Sequence, residues 1–363
     1  MKGGLKMRKR VWFVVLVVAL FGIVAVMPAY AQAQAPIKLK YANYFPPTHV
    51  FSQLAAQFCD EAKKRTNGKV EISYYPGGSL STAPKMWDAV TNQVTDIGLS
   101  HIGYTRGRFP VTEMLDLPIG LTSGFVATNI KDDFYRKYKQ KEWNDVHLLY
   151  FYGPGPQIFA TRSKPAKKMD DLKGLKFRSV ARAADTVKAV GAVAVALEMA
   201  DLYDALHRGL VDGTFEAMET WKGFKLGDAI KYATYTQRAA GMTYSFWVAM
   251  NKEKWNGLPE DVKNIFTQMA YEWREKTGLV TLQIDLEGQE FFKQNGGQMV
   301  TMPEDEIQKM AKAVEPVVQN YMKDMETKGY KKAELEEQLK FARDRVAYWS
   351  KQEKERKLKS PYN

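Results

Sequence analysis

Strand and helix patterns alternate twice along this chain, and that alternation limits the fold more than any other feature. Ile37 to Tyr44 (IKLKYANY) alternates apolar and polar residues and predicts a strand, which Pro46 and Pro47 end. Val50 to Arg65 has helical spacing and stops at Asn67-Gly68. Lys69 to Tyr75 predicts a second strand, Pro84 to Thr91 a short helix, and Asp96 to His101 a third strand. The order restarts at Val146 to Tyr152. Gly153-Pro154-Gly155-Pro156 punctuates, and Gln157 to Arg162 continues extended. Leu175 to Val180 and Val193 to Leu197 predict strands, with helices over Ala183 to Val190 and Asp201 to Arg208. A third β-α set surrounds Met242 to Met250. From Asp261 to Gln294, and again from Pro303, the chain is helical. Two α/β halves with no linker predict an α/β protein of two lobes joined by crossing strands.

The start of the chain has a different character. Lys2, Lys6, Arg8, Lys9 and Arg10 precede an apolar run from Val11 to Val26, and Ala29-Tyr30-Ala31 follows. A basic start, a short apolar run and small residues at an A-x-A site make residues 1–31 a signal peptide that sends the rest to the periplasm. The full chain of 363 residues carries a net charge of +12. The leader has five cations and no acid, which leaves +7 on the remainder. No dense basic block with interleaved aromatic residues occurs, so a nucleic-acid partner is not expected. Cys59 is the single cysteine and sits in a helical pattern, where it reads as a small core residue.

Several segments carry a resemblance: YANYFPPTHV from Tyr41, YPGGSLSTAPKMWDAVTNQVTDIGLS from Tyr75, RFPVTEMLDLPIG from Arg108, DLKGLKFR from Asp171, LYDALHRGLVDGTFEAM from Leu202, and NKEKWNGLPEDVKNIF from Asn251. In order and spacing they resemble the solute-binding proteins of tripartite ATP-independent periplasmic (TRAP) transporters, the C4-dicarboxylate-binding family, from about Ile37 to about Tyr330. The resemblance implies a two-lobed periplasmic binding protein fold with crossing hinge strands and a long C-terminal helix spanning both lobes. Residues 36–154 with about 246–300 would form lobe I, and 155–245 with about 301–330 lobe II. It implies an organic acid ligand, hinge closure around it and a TRAP membrane permease as partner, with no catalysis and no cofactor.

Arg178 is the leading candidate for binding. It matches the family's key arginine, and a guanidinium offers paired donors that fit a carboxylate. Taken without the resemblance, the same residue would read as half of a surface salt bridge. A further ligand residue of some family members falls by spacing on Ile158, with Gln157 beside it. Ile158 would suit a monocarboxylate with an apolar or aromatic body. Gln157 would offer an amide to a carboxylate or hydroxyl and keeps keto and hydroxy acids open. A dicarboxylate would need a further cation such as Arg162 or Arg182. Phe215 and Glu216 fall in a segment that the family turns toward the cleft, and Glu216 stands where many members have Asn. Three roles are open for it: binding a hydroxyl, holding a cation, or pairing with a lysine. Asn43 and His49 stand at the end of the first strand, and ligands of open α/β sheets sit beyond strand carboxyl ends. Ser100, His101 and Tyr104 end another strand. Tyr244 lies on a crossing strand, where a ring can line the cleft.

Enzyme signatures are absent: there is no G-x-S-x-G, H-E-x-x-H, P-loop or dinucleotide-binding fingerprint. The histidines at 49, 101, 147 and 207 lack metal-ligand spacing. Two other readings remain for the same pattern, an extracytoplasmic sensor or scavenging protein without its own permease, and a periplasmic hydrolase. The last stretch, 331–363, is charged, but Leu335, Leu339, Ala342 and Val346 keep helical spacing. It predicts a helix that packs outside the lobes or reaches a partner.

Overall fold

The computed structural model describes residues 35–362, so the predicted signal peptide lies outside the described residues. The chain runs β1 (Ile37–Asn43), α1 (Val50–Arg65), β2 (Val70–Tyr75), α2 (Met86–Thr91), β3 (Ile97–His101), α3 (Gly124–Tyr138) and β4 (Val146–Tyr152). It continues through β5 (Ile158–Thr161), β6 (Lys176–Arg178), α4 (Ala181–Ala189), β7 (Val193–Val195), α5 (Met199–His207), β8 (Gly213–Glu216), α6 (Glu219–Gly223), β9 (Tyr232–Thr234) and α7 (Gln237–Ala240). It ends with β10 (Phe246–Asn251), α8 (Lys252–Asn256), α9 (Glu260–Gln294), β11 (Gln298–Val300), α10 (Glu304–Thr327) and α11 (Lys332–Glu355).

The strands form two sheets, one ordered β2-β1-β3-β10-β4 and the other β11-β9-β5-β8-β6-β7. In the first, β1 and β3 run parallel, as the β-α-β pattern predicts, and β10 inserts antiparallel between β3 and β4. In the second, β8 pairs antiparallel with β5 and parallel with β6. The chain leaves the first sheet through residues 153–157 and returns through 235–245. These two segments are tied together: the backbone N–H of Gln157 donates to Met242 O at 3.0 Å, and Thr243 Oγ1 donates to Pro154 O at 3.0 Å. They are the crossing strands of a two-lobed fold.

Local chemistry explains the elements that position the cavity between the sheets. His49 caps α1, its Nδ1 accepting from Phe51 N at 3.2 Å. Phe51, Leu54, Ala55, Phe58, Cys59 and Ala62 then turn one apolar stripe inward. Burial pushes the Cys59 thiol up to about 12, in keeping with an inert core residue. No strand is expected at Gly213 to Glu216, yet it forms β8, an inner strand of the second sheet. Gly213 allows this, since a Cβ there would lie 2.1 Å from Ala160 O.

Helix α9 spans both sheets' layers. In its first half Trp273 Nε1 donates to Leu54 O of α1 at 2.8 Å, and near its end Phe292 packs on Trp221 at 4.8 Å. Gly288 brings it against α6, where a Cβ would lie 2.0 Å from Met218 O. The helix is long but not C-terminal, because α10 and α11 follow. Helix α11 folds back on α3: Leu335, Ala342 and Val346 are buried, and Arg345 and Trp349 both donate to Asp133 at 2.6 Å. The tail then reaches the second layer. Tyr362 is buried, its hydroxyl accepts from Met218 N at 3.3 Å, and its carbonyl accepts from Gln237 Nε2 at 3.3 Å. Tyr362→Ala is expected to cost about 1–2 kcal/mol, from the lost packing and stranded partners. A fall of a few degrees in the thermal midpoint would register this, whereas an unchanged midpoint would show the tail to be idle.

Candidate functional site

Strand ends meet from both sides at one cavity. Tyr44 and Phe45 follow β1, His101 ends β3 and Phe246 opens β10 on the first side. Arg178 ends β6, Glu216 ends β8, and Glu219 opens α6 on the second. Pro154, Gln157 and Tyr244 come from the crossing segments. The cavity has about 10 Å³ of space for water centres, roughly the room of one water molecule. A larger solute enters only when the two sides part.

Arg178 is fully buried, and four of its five N–H groups are engaged. Nε and Nη2 donate to Leu197 O at 3.0 and 2.9 Å, Nη2 also donates to Tyr104 Oη at 3.1 Å, and Nη1 donates to Glu216 Oε1. Burial opposes the guanidinium charge, but Glu216 and the surrounding tyrosines outweigh it and hold Arg178 charged. Glu216 is 2% exposed. Burial pushes its carboxyl up to about 7, although Arg178 pulls it back down. The lysine partner considered for Glu216 is therefore replaced by Arg178. Among the described residues, no group of three or more histidine, cysteine or acidic side chains is placed to hold a metal.

Gln157 lines the same cavity with 0% exposure, and neither amide atom has a partner among the described residues. A buried amide costs free energy until something bonds to it. It is thus a donor and an acceptor available to whatever enters. Tyr244 also lines the cavity, stacks on His101 at 4.6 Å and gives its hydroxyl to Val180 N as acceptor at 3.3 Å. Burial first, then the charge of Arg178, holds His101 well below its ordinary range, so the ring is neutral. Its Nδ1 accepts from Gly103 N at 3.1 Å.

Four other expected residues stand elsewhere. Ile158 sits opposite Glu216 in the β5–β8 ladder, one residue beyond the cavity, and packs with Leu202, Met218 and Trp221 in an apolar cluster. Phe215 alternates to the other face of β8 and stacks on Phe159 at 4.3 Å. Asn43 braces the first sheet, donating to Tyr74 Oη at 2.8 Å and accepting from Ser52 Oγ at 3.2 Å. His49 stands one layer back. Since its Nδ1 is an acceptor, Nε2 carries the proton and donates to Glu219 Oε2 at 2.9 Å. Arg162 and Arg182 are outside as well: Arg162 donates to His207 O at 3.4 Å, and Arg182 Nε donates to Glu113 at 2.8 Å. Arg178 is the one cation lining the cavity among the described residues.

Sequence reading missed Glu219, Thr220, Phe224 and Met199. Glu219 carried a faint signal, three residues after Glu216 on the same approach to a short helix. Its partner His49 is 170 residues away, which no local pattern reveals. Phe45, Phe224 and Phe246 give the cavity an apolar wall, with the Phe45 ring 5.7 Å from Phe224 and 5.9 Å from Phe246. The arrangement offers one buried cation, one free amide and aromatic faces, and it suits a small anion with an apolar body.

Comparison with known proteins agrees in kind. The chain resembles, at 26% identity and a TM-score of 0.81, a TRAP solute-binding protein from Rhodoferax ferrireducens solved with copurified benzoate, over 87% of this chain and 99% of that one. A TRAP periplasmic solute-binding protein from Bordetella bronchiseptica, solved with (R)- and (S)-mandelate, is also 26% identical with a TM-score of 0.78, covering 86% of this chain and all of that one (100%). The C4-dicarboxylate-binding periplasmic protein DctP of Rhodobacter capsulatus is 27% identical over 242 residues, 65% of this chain and 71% of that protein. A sequence model of the DctP family matches residues 41–324, most of the chain. The chain therefore belongs to the DctP family, the bacterial extracellular solute-binding proteins of family 7.

Proposed function

We propose that this protein is a periplasmic solute-binding protein that captures a monocarboxylic acid with an apolar or aromatic body and passes it to a TRAP permease. The single observation that carries the reading is the cavity itself, where buried Arg178 and the unpartnered amide of Gln157 meet among aromatic rings. The role is capture without chemistry. One lobe is built on each sheet; the two part about the crossing segments to admit the acid and close over it. One lining cation favours one carboxylate over two. Export by the N-terminal signal peptide places the capture step outside the cytoplasm. The relatives solved with benzoate and mandelate support an aromatic or hydroxy acid as the ligand class.

A thermal-shift panel tests the reading, with benzoate, mandelate, pyruvate and succinate added to the mature protein. Binding to the native state raises the midpoint with ligand concentration. A rise with the monocarboxylates and not with succinate is the expected pattern; a rise with succinate alone would overturn the single-carboxylate assignment, and a flat panel the carboxylate reading. Gln157→Leu should weaken the acid about tenfold, the worth of a hydrogen bond to a charged group, without lowering stability, because it removes an unpaired buried amide. Equal affinity in that variant would remove Gln157 from the site.

A further inference from the structure

Glu216 occupies the place where a solute carboxylate would bind. Its Oε1 takes an Arg178 Nη1–H, one of the guanidinium N–H donors a bidentate acid needs. Adding an anionic acid would put two carboxylates on one buried guanidinium, and like charges at such range cannot both stay ionised. We propose that this site takes its acid together with one proton from solvent, held on Glu216, whose protonated carboxyl then donates a hydrogen bond to the bound carboxylate. The proposal rests on the carboxylate reading above.

The balance is simple. Before binding, Glu216 is a carboxylate accepting from Arg178. On binding, one proton joins a Glu216 oxygen, Nη1 turns its bonds to the incoming carboxylate, and no covalent bond to the solute forms or breaks. The proton goes to Glu216 and not to a neighbour for reasons visible around it. Arg178 on β6 stays charged. Tyr44, Tyr104 and Tyr244 are raised above their ordinary range, mainly by burial, and keep their protons. His101, against Tyr104 and Tyr244, is held neutral. Glu219 on α6 already accepts from His49 Nε2, and its charge also pushes Glu216 upward. Glu216 needs the least persuasion, since burial has brought it to about 7 before any anion arrives. An asparagine at this position, the residue the family resemblance sets there, would have no proton to take.

Titration calorimetry gives the test, on the full mature protein with benzoate, or with whichever of mandelate or pyruvate shifts the midpoint more. These acids are ionised throughout pH 6 to 8. A site that must be protonated to bind, with Glu216 near 7, predicts affinity about tenfold weaker at pH 8 than at pH 6. It also predicts uptake of about 0.9 proton per acid at pH 8, read from the difference in heat between phosphate and Tris buffers. Glu216→Gln should abolish both the uptake and the pH dependence. Binding with no buffer-dependent heat at pH 8 would overturn the proposal and leave the carboxylate reading intact. Retained uptake in Glu216→Gln would assign the proton to another group and overturn it too. If no acid binds at any pH, the carboxylate reading itself falls.

Discussion

Arg178→Ala is expected to weaken acid binding by about 30- to several-thousand-fold. Removing one partner of a fully desolvated charge pair costs about 2–5 kcal/mol, and each 1.4 kcal/mol is tenfold in affinity. The fold should survive. Glu216, left buried without its guanidinium, would be driven further upward and hold a proton at neutral pH, so no bare charge is stranded. Arg178→Lys separates charge from geometry. A lysine keeps the positive charge but not the planar fork that also serves Leu197 O and Tyr104, so it should still lose at least about tenfold. Calorimetry with the best acid of the panel decides the matter. Affinity within a few-fold of wild type in Arg178→Ala would mean the carboxylate is anchored elsewhere.

The largest effect on stability should come from Trp87→Ala. Trp87 is 2% exposed on α2 and packs edge-on against Phe109 at 4.8 Å, Trp143 at 5.6 Å and Trp247 at 5.7 Å. The Arg108 guanidinium covers its ring at 4.7 Å. Trp247 belongs to β10, so this cluster is what backs the strand leading into the cavity from Tyr244 and Phe246. Large-to-small changes at such sites cost about 3–5 kcal/mol, because the surrounding rings cannot collapse into the void. Urea denaturation should show that loss in the midpoint. A loss below about 1 kcal/mol would mean that the aromatic cluster repacks and does not define the layer.

What was legible in the chain follows from physical scale. β1, α1, β4 and α9 have clear periodicity, and their expected ranges match the structure within two residues. Helix α3 escaped notice because nearly all of its first turns are buried, including Lys131 and Asp132, so no single apolar stripe stands out. β9 and β11, of three residues each, drew no strand prediction, although the equally short β6 and β7 did. The site shows the same division. Arg178, Gln157, Glu216 and Tyr244 lie in segments whose chemistry could be read locally, and the structure gathers them at one cavity. Ile158 and Phe215 are neighbours of lining residues, and telling a lining position from its neighbour requires the strand register and the depth of the cavity. The Arg178–Glu216 bond joins β6 to the end of β8, 38 residues apart. Neither residue alone announces that pairing.

A solute carboxylate held at Arg178, in the cavity between the two sheets, would explain the whole arrangement. A crystal structure of the complex with the acid of largest thermal shift tests it most directly. The expected complex has the carboxylate within hydrogen-bond distance of the Arg178 guanidinium, the Gln157 amide on the same ligand, and its apolar body against Phe45, Phe224 and Phe246. An acid seated elsewhere, with Arg178 still engaged by Glu216, would contradict it.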